Sequence, residues 1–461
     1  LDEVVKRKPA KVFLMIGTND LARGISPDSV ITNIITVADY LKQVTPATKL
    51  YVQSILPVNN VFRKFGGHTS KVEQIKQVNE KLLNESPVYQ CSFINLYPFF
   101  CNSEGKLDIK YSNDGLHLTG EGYLLWKHLV YPHVNGVQEK PSIIPAPQQS
   151  KWKKGFFPVY QCRSIVTTQK GLENESGQLK AILNSLGLDA NKRAQMPELE
   201  KYIELRIAKI EAAPENKEAY KLVATESSIL ITGNTAHGIF NGIQTLKQLL
   251  RDGSFIDACE ITDWPAFSWR GFMIDVGRNF QSISQLKQQI DVMAAYKLNI
   301  FHFHLTEDIA WRLQSKMYPQ LTDAKYMKRN PGEYYSLDEM RELIAYCKKK
   351  YITLIPEIDM PGHSAAFERA MGVDMQSDSG LVICKNILTE LCRELDVPYV
   401  HVGGDEVKIT YKEFLPQMIS LLKSLEKKVI AWQPGGNTPE GTILQMWIGD
   451  TKPKDNYYSV D

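Results

Sequence analysis

The sequence lacks the features that mark several large classes of protein. Its seven cysteines are scattered and form no Cys-x-x-Cys pair, which argues against a disulfide scaffold and a zinc knuckle. The formal net charge is +2, too small to indicate a nucleic-acid partner. No apolar run approaches the length of a membrane span. Residue 1 is Leu and no signal peptide precedes it, so we expect the N-terminus to lie inside a longer protein.

What is present is the composition of an ordinary globular protein. Hydrophobic residues make up 43% of the 461 residues and charged residues make up 23%, close to the averages for soluble domains. A chain of this length has room for two or three domains, each with its own core.

Residues 399–407 form the most informative stretch, because an apolar strand runs through Gly403 and Gly404 into the acidic pair Asp405 and Glu406. Two adjacent carboxylates repel each other and burial disfavours their charge, so one pKa should rise. A protonated Glu beside an ionised Asp is the arrangement that glycoside cleavage needs. In isolation such a pair is usually a solvated acidic turn, so its neighbours decide.

The neighbouring segments of residues 263–461 repeat one pattern, in which an apolar strand ends in polar or aromatic side chains and a helix follows. Two of these helices open with capping boxes, Ser282 with Gln285 and Ser336 with Glu339. Repeated units with functional groups only at strand exits predict a (β/α)8 (TIM) barrel whose site lies at the carboxyl ends of its strands. The exit residues are Arg278, His304, Glu307, Asp359, His363, Trp432 and Trp447.

Two further regions precede this barrel. Residues 1–135 alternate strands and helices, beginning with the apolar strand 11–16, which predicts a doubly wound parallel sheet whose strands are buried on both faces. Residues 136–157 are rich in Pro and in Gln, Ser and Lys, and read as a linker. Residues 158–262 combine three strand patterns with a helix and predict a small α+β domain. Within it, His237 precedes the helix and is interpreted as a capping or packing residue.

At this point the barrel segment resembles a known family. The stretches Asp275–Arg278, His302–Leu305, Pro356–His363 and Gly403–Glu406 are similar, in order, to the family 20 glycoside hydrolases, the β-N-acetylhexosaminidases. The resemblance extends over residues 158–461, so the small α+β domain resembles that family's accessory domain. It implies release of terminal β-linked N-acetylglucosamine or N-acetylgalactosamine from glycans, a carbohydrate partner and no cofactor.

The resemblance also implies a mechanism in which the substrate's own acetamido oxygen attacks the anomeric carbon. Glu406 then protonates the leaving oxygen, and Asp405 accepts the acetamido N–H. The resemblance further implies that Asp359 holds His363 beside Glu406. Arg278 and His304 would contact the substrate. Trp432 and Trp447 would wall the sugar pocket.

Simpler roles stay open for several of these residues. Arg278 could form a structural ion pair. The two tryptophans could belong to a core, but two adjacent strands that both end in Trp favour a pocket. His302 and His304 share a strand face at a spacing that metal sites use, but the sequence shows no third ligand, so we expect no metal. The chain as a whole could also release a disaccharide or a sulfated sugar, or be an inactive glycan-binding module.

Three positions depart from the family pattern. Glu307 stands where the family usually has Asp, and Asn279 stands where it usually has His. The sequence stops at residues 457–461, inside the expected seventh strand and before the family's acetamide-contacting Tyr and its eighth-strand residues. We therefore expect a C-terminally incomplete barrel, a natural chain that continues, and no activity of this segment alone.

A second resemblance covers residues 1–135. Gly-Thr-Asn-Asp at residues 17–20 and Asp-x-x-His at residues 114–117 are similar to motifs of the SGNH (GDSL-type) hydrolases, which include carbohydrate O-acetylesterases. The resemblance implies that Asn19 donates to an oxyanion, His117 acts as the base and Asp114 orients it. The family's nucleophilic Ser has no counterpart here, so we expect a partial domain. His117 could instead be a residue at the start of a helix.

The glycan substrate that the first resemblance implies favours a secreted, periplasmic or cell-surface location for the protein.

Overall fold

The computed structural model describes three regions that follow one another along the chain. The described residues are 1–85, 91–135, 141–159, 162–167, 169–185, 201–211, 216–250, 255–448 and 459–460. Part of the predicted linker, residues 136–140, and Tyr457, Tyr458 and Asp461 of the predicted seventh strand lie outside them. No helix among the described residues is long and apolar enough to cross a membrane.

The first region contains a parallel sheet in the order β1-β2-β3, with helices in the connections, as the alternating pattern predicts. Its longest helix begins as expected, because the Ser26 hydroxyl accepts the Ser29 N–H at 3.2 Å. The elements are α1 (Asp2–Arg7), β1 (Lys11–Leu14), α2 (Thr18–Ala22), α3 (Pro27–Val44), β2 (Lys49–Gln53), α4 (Gly66–Thr69), α5 (Val72–Glu85), β3 (Ser92–Ile94), α6 (Tyr97–Phe100) and α7 (Gly120–Asn135).

Strand β1 differs from the prediction that it is buried on both faces. All four of its residues are half-buried, and Met15 and Ile16 beyond it are each 38% exposed. The reason is its place in the sheet, since within the described residues β1 pairs only with β2. An edge strand has one neighbour to cover it, whereas β2 lies between two strands.

The second region is a six-stranded mixed sheet in the order β4-β9-β7-β8-β6-β5. Helix α9 packs on it through Ile239, Ile243 and Leu246, which are fully buried. The elements are β4 (Gln149–Pro158), β5 (Cys162–Thr167), α8 (Glu173–Ser185), β6 (Lys201–Ile207), β7 (Tyr220–Ala224), β8 (Ser228–Gly233), α9 (Ala236–Leu249) and β9 (Phe255–Asp263).

Two sequence-based interpretations of this region have different outcomes. Residues 149–157, predicted as linker, form most of β4, because they pair antiparallel with β9 and so gain a ladder of hydrogen bonds. The linker prediction is wrong there. His237 is a packing residue, as expected, since its ring stacks on Tyr351 of the third region at 4.5 Å.

The third region is a curled sheet of seven parallel strands, each paired with the next along the chain. Both predicted capping boxes are present, at Ser282 and Ser336. The elements are β10 (Gly271–Asp275), α10 (Ile283–Ala295), β11 (Ile300–His304), α11 (Leu337–Lys349), β12 (Thr353–Glu357), α12 (Ala365–Met371), α13 (Asp378–Glu394), β13 (Tyr399–His401), α14 (Phe414–Ser424), β14 (Lys428–Gln433), β15 (Ile443–Met446) and β16 (Ser459–Val460).

Alternate residues of these strands point to the inner side of the sheet and form layers. Ile300, Ile355 and Ile430 make one apolar layer. The next residues on the same face, two positions along each strand, are His302, Glu357 and Trp432, and these are polar or aromatic. The strand exits therefore receive their functional groups from the same period-two alternation that builds the core.

A buried polar contact joins the second and third regions. The Lys297 ammonium lies 2.9 Å from the Asp263 carboxylate and also donates to the Tyr220 hydroxyl at 2.9 Å. Arg270 pairs with Glu218 across the same boundary. Because buried charges are tolerated only when they are paired, these contacts fix the supporting domain against the sheet.

Candidate active site

The acidic pair lies on a tight turn at the exit of β13. Gly403 and Gly404 have φ angles of 66° and 98°, and Glu406 itself has φ 55°. A non-glycine residue in this left-handed region is strained, and such residues concentrate at functional sites. His363, which contacts Glu406, shares the feature with φ 46°. The turn directs two neighbouring carboxylates to different surroundings.

Gly403 is required by space as well as by backbone conformation. A Cβ atom there would lie 1.7 Å from Oδ1 of the buried Asp359, whereas a Cβ at Gly372, with φ 72°, would meet no atom within 4 Å. We expect Gly403→Ala to lower the free energy of unfolding by about 3 kcal/mol or more, and Gly372→Ala by about 1 kcal/mol. Urea denaturation of both variants measures this difference. Equal losses would contradict the steric argument.

The raised pKa of the pair falls on Asp405, which corrects the expectation that the Glu would carry it. Burial raises the pKa of Asp405 to about 6, with further contributions from the negative charges of Glu406 and Glu357. The physical reason is exposure, since Asp405 is 9% exposed and the Glu406 side chain is 48% exposed. Asp405 is the member of the pair that loses more hydration.

His363 links Glu406 to a second, buried carboxylate. Its Nε2 is hydrogen bonded to Glu406 Oε2 at 2.9 Å. On the other side of the ring, Nδ1 lies 2.9 Å from Oε1 of Glu307, which is 2% exposed; this contact is close but not aligned as a hydrogen bond. A histidine between two carboxylates can hold or pass a proton and orient the exposed one.

The expected contact between Asp359 and His363 is not formed. Asp359 Oδ1 is buried without a hydrogen-bond partner, against Gly403. Burial and the charge of Glu357 raise the pKa of Asp359 well above its usual range. The carboxylate behind His363 is Glu307, the residue that departs from the family pattern. The Glu307 side chain, which is one methylene longer than Asp, reaches the His363 ring.

Shortening Glu307 tests this reach. In Glu307→Asp the carboxylate retreats by about one bond length from His363, so we expect kcat to fall by about tenfold with little change in KM. Steady-state kinetics measure both constants. Asp308→Asn is the matched control, because Asp308 lies 3.7 Å from the same ring nitrogen and its side chain is 48% exposed; its kcat should stay within about twofold. Equal losses in the two variants would show that Glu307 does not hold His363.

Arg278 lies at the exit of β10 and is neutralised from two sides. Its guanidinium pairs with Asp275 and with Glu307. The side chain remains 46% exposed, so part of its fork of donors faces solvent. Asn279 accepts a hydrogen bond from Arg329 at 2.8 Å through its side-chain oxygen. Arg278 is both the ion-pair residue that the sequence left open and a donor with room for a ligand.

The two tryptophans at the strand exits have different surroundings. Trp447 is 44% exposed and lines a cavity of about 420 Å³ together with Asp405, Glu406 and Pro434. Trp432 is half-buried and donates its indole N–H to Glu357 Oε1 at 2.8 Å. The structure therefore places Trp447 with the acidic pair and anchors Trp432 to groups beneath it.

A buried cluster around Glu357 was not assigned by the sequence analysis. His302 Nε2 and His304 Nδ1 lie 2.8 and 2.6 Å from Glu357 Oε2, and His401 Nδ1 lies 3.1 Å from Oε1. The sequence indicated no third ligand beside His302 and His304, and the structure places the Glu357 carboxylate next to both. The available signal was the period-two alternation, which puts Glu357 and His401 on the inner face beside the two histidines. Two sets of three residues have possible metal-ligand atoms within 4.8 Å of one another. They are His302 with Glu357 and His401, and His304 with Glu357 and Asp359.

The histidines of this cluster differ in charge. Burial alone would lower the pKa of His304, but the Glu357 carboxylate raises it to about 9. Burial lowers the pKa of His401 to about 4. The neutral His401 accepts the Gly403 N–H at Nδ1, at 3.0 Å. The cluster thus contains one cationic imidazole beside Glu357, and a neutral one that supports the turn carrying the acidic pair.

In the first region the structure brings two of the three predicted esterase residues, Asp114 and His117, into contact. His117 Nδ1 lies 2.8 Å from Asp114 Oδ2, and the ring of Phe65 contacts the His117 ring at 5.2 Å. Burial would raise the pKa of Asp114, but the N–H groups of His117 and Leu116 and the His117 ring lower it to about 2. Asn19 Oδ1 lies 3.0 Å from His68 Nε2, a partner that the sequence did not suggest.

Each of the three regions is similar to a known protein family. Residues 267–380 match the catalytic domain of glycosyl hydrolase family 20, and residues 140–264 match domain 2 of the same family. The chain carries family 20 domains. Residues 1–125 match the GDSL-like lipase/acylhydrolase family. Both resemblances drawn from the sequence are confirmed.

Curated relatives and solved structures agree with this assignment. A β-hexosaminidase of Porphyromonas gingivalis is 30% identical over 67% of this chain and 48% of its own length. A β-N-acetylhexosaminidase of Cellulomonas fimi is 32% identical over 54% of this chain and 57% of its own. The chain spans about half the length of these relatives. The N-acetyl-β-hexosaminidase of Streptomyces plicatus, solved in complex with Thio-NAglucal, has a TM-score of 0.61 and 26% identity over 70% of this chain and 72% of its own.

Proposed function

We propose that this protein is a β-N-acetylhexosaminidase that removes terminal β-linked N-acetylhexosamine from glycans by substrate-assisted, retaining hydrolysis. The observation that carries the proposal is the arrangement of Asp405 and Glu406 in one cavity, with Glu406 backed by His363 and Glu307. The names of the relatives support the same substrate class.

The chemistry assigns a different task to each carboxyl group. The acetamido oxygen of the substrate forms a bond to the anomeric carbon as the bond to the leaving oxygen breaks, and Glu406 gives its proton to that oxygen. Glu406 then removes a proton from the water that opens the oxazolinium intermediate. Asp405, as a carboxylate, accepts the acetamido N–H and stabilises the positive charge that develops there.

The seven-stranded sheet is proposed to belong to an eight-stranded barrel. Along the outer edge of β10, Phe272 and Met273 are 43% and 38% exposed, although apolar residues of barrel strands are normally covered. A further parallel strand between β16 and β10 would cover them.

The location proposed with this function is outside the cytoplasm, where glycans of this class are found.

The test compares an aryl β-N-acetylglucosaminide with the matching aryl β-glucoside, using the full-length protein. Rapid hydrolysis of the first and none of the second supports the proposal, because only the first carries an acetamido group. Equal hydrolysis of both would mean that a protein group is the nucleophile. Hydrolysis of neither would favour release of disaccharides or sulfated sugars, or a glycan-binding module.

An ester-removing activity of the first region is a second candidate, which the short contact between His117 and Asp114 favours. The GDSL-like match of residues 1–125 supports the same reaction class. Acyl transfer would also need a nucleophile within reach of His117. Hydrolysis of p-nitrophenyl acetate by the full-length protein, with His117→Ala as the control, tests this candidate. Equal rates for the two proteins would reject it.

A further inference from the structure

The buried carboxylate of Glu357 forms three hydrogen bonds beneath the candidate site. Its Oε1 accepts the Trp432 indole N–H at 2.8 Å, and its Oε2 contacts His302 and His304. Glu357 is 0% exposed. A buried carboxylate is tolerated only where donors replace its hydration, and this one is surrounded by them.

Trp432 depends on this contact for its orientation. One side of its ring packs against the rings of His401 and His302, with centroids 4.7 and 5.4 Å away. The side chain is only half-buried, so packing restrains the ring on one side. The hydrogen bond to a charged acceptor is directional and fixes the plane of the indole.

The chain next to Trp432 forms part of the cavity wall. Pro434 and Gly435 line the cavity with Asp405 and Glu406. The backbone N–H of Trp432 donates to the Gly403 carbonyl at 2.9 Å, which ties β14 to the turn that carries the acidic pair. A shift of Trp432 would therefore reach both the wall and the acidic pair.

We propose that Glu357 is a positioning residue for the glycosidase reaction, which fixes the indole of Trp432 beneath the cavity of the acidic pair through the Nε1–Oε1 hydrogen bond. Glu357 lies beneath the site and acts through Trp432, without touching the substrate. This inference rests on the proposed function, because Trp432 matters for catalysis only if the pocket binds the reacting sugar.

A double-mutant cycle tests the proposal in the full-length protein, with hydrolysis of an aryl β-N-acetylglucosaminide as the readout. Glu357→Gln removes the charge, and Trp432→Phe keeps an aromatic ring but removes the N–H donor. If Glu357 acts through Trp432, each single variant lowers kcat by about 10- to 100-fold with a smaller change in KM. In the Trp432→Phe background, Glu357→Gln then changes kcat by less than about twofold.

The matched control is Glu390→Gln, at another buried glutamate, which accepts hydrogen bonds from Ser315 and Lys316. We expect it to lower the melting temperature without lowering kcat. Fully additive losses in the cycle would overturn the proposal, since Glu357 would then act independently of Trp432. Should Glu357→Gln fail to fold, Glu357→Asp takes its place in the cycle. Full activity of Trp432→Phe alone would also overturn the proposal.

The wild-type protein separates this inference from the proposed function. If wild type does not hydrolyse the N-acetylglucosaminide, the proposed function fails and no variant needs to be made. If wild type is active and the cycle is additive, the function stands and only the role of Glu357 is rejected.

Discussion

Replacing Glu406 with glutamine is expected to lower kcat by about 10³-fold for substrates with a poor leaving group, since the amide can neither donate nor accept the catalytic proton. The geometry supports this size of effect, because Glu406 is the group held by His363 at 2.9 Å and it opens into the cavity. Steady-state kinetics on chitobiose and on an activated aryl glycoside measure the loss.

The leaving group provides the internal control for this variant. An activated aryl oxide leaves without protonation, so Glu406→Gln should be far less impaired in the first step on that substrate. Binding of N-acetylglucosamine, measured by calorimetry, should be nearly unchanged. Because kcat/KM reports the first step, equal losses of kcat/KM on the two substrates would contradict the role of Glu406 as proton donor. Full activity of the variant on chitobiose would contradict it as well.

The second large effect concerns Asp405, whose charge is needed beside the acetamido group. We expect Asp405→Asn to lower kcat by about 10²- to 10³-fold, the usual range when a preorganised electrostatic partner is removed. Since burial raises the pKa of Asp405 to about 6, kcat/KM of the wild type should fall as the pH drops below about 6. The pH profile of the variant should lack this limb. An acidic limb that persists unchanged in Asp405→Asn would assign it to another group.

The same pKa fixes the direction of a stability effect. A carboxyl group whose pKa is raised by folding contributes stability that is fully present below its unfolded value, near 3.8, and lost as the pH rises through about 6. The melting temperature of Asp405→Asn relative to wild type should therefore increase between pH 4 and pH 7. Thermal denaturation at the two pH values checks the sign, and a relative decrease would contradict the burial of Asp405.

The periodicity of hydrophobic residues and the helix-capping residues predicted most of the fold. The strand exits of the third region appear where apolar segments give way to polar residues, and the capping boxes at Ser282 and Ser336 begin helices as expected. Strand β1 was predicted less well, because burial depends on how many neighbours a strand has in the sheet. The apolar composition of residues 11–16 does not show how many neighbouring strands β1 has.

The candidate site shows the same division between local and non-local information. Asp405, Glu406 and His363 could be placed together from the strand-exit pattern. Which carboxylate stands behind His363 could not, since Glu307 and Asp359 both follow neighbouring strands, and only the packing of Asp359 against Gly403 decides between them. The Glu357 cluster together with Trp432 combines residues from four strands, so its contacts depend on the register between strands.

Participation of the substrate's own acetamido group is the central claim, and its nucleophilicity can be varied directly. Aryl β-glucosaminides with acetyl, fluoroacetyl, difluoroacetyl and trifluoroacetyl groups on nitrogen have progressively weaker carbonyl nucleophiles. With the full-length protein, we expect kcat to fall steeply and monotonically along this series, by several orders of magnitude in total. A flat series, with kcat independent of fluorination, would contradict the assignment of Asp405 and Glu406 and show that a protein side chain attacks the sugar.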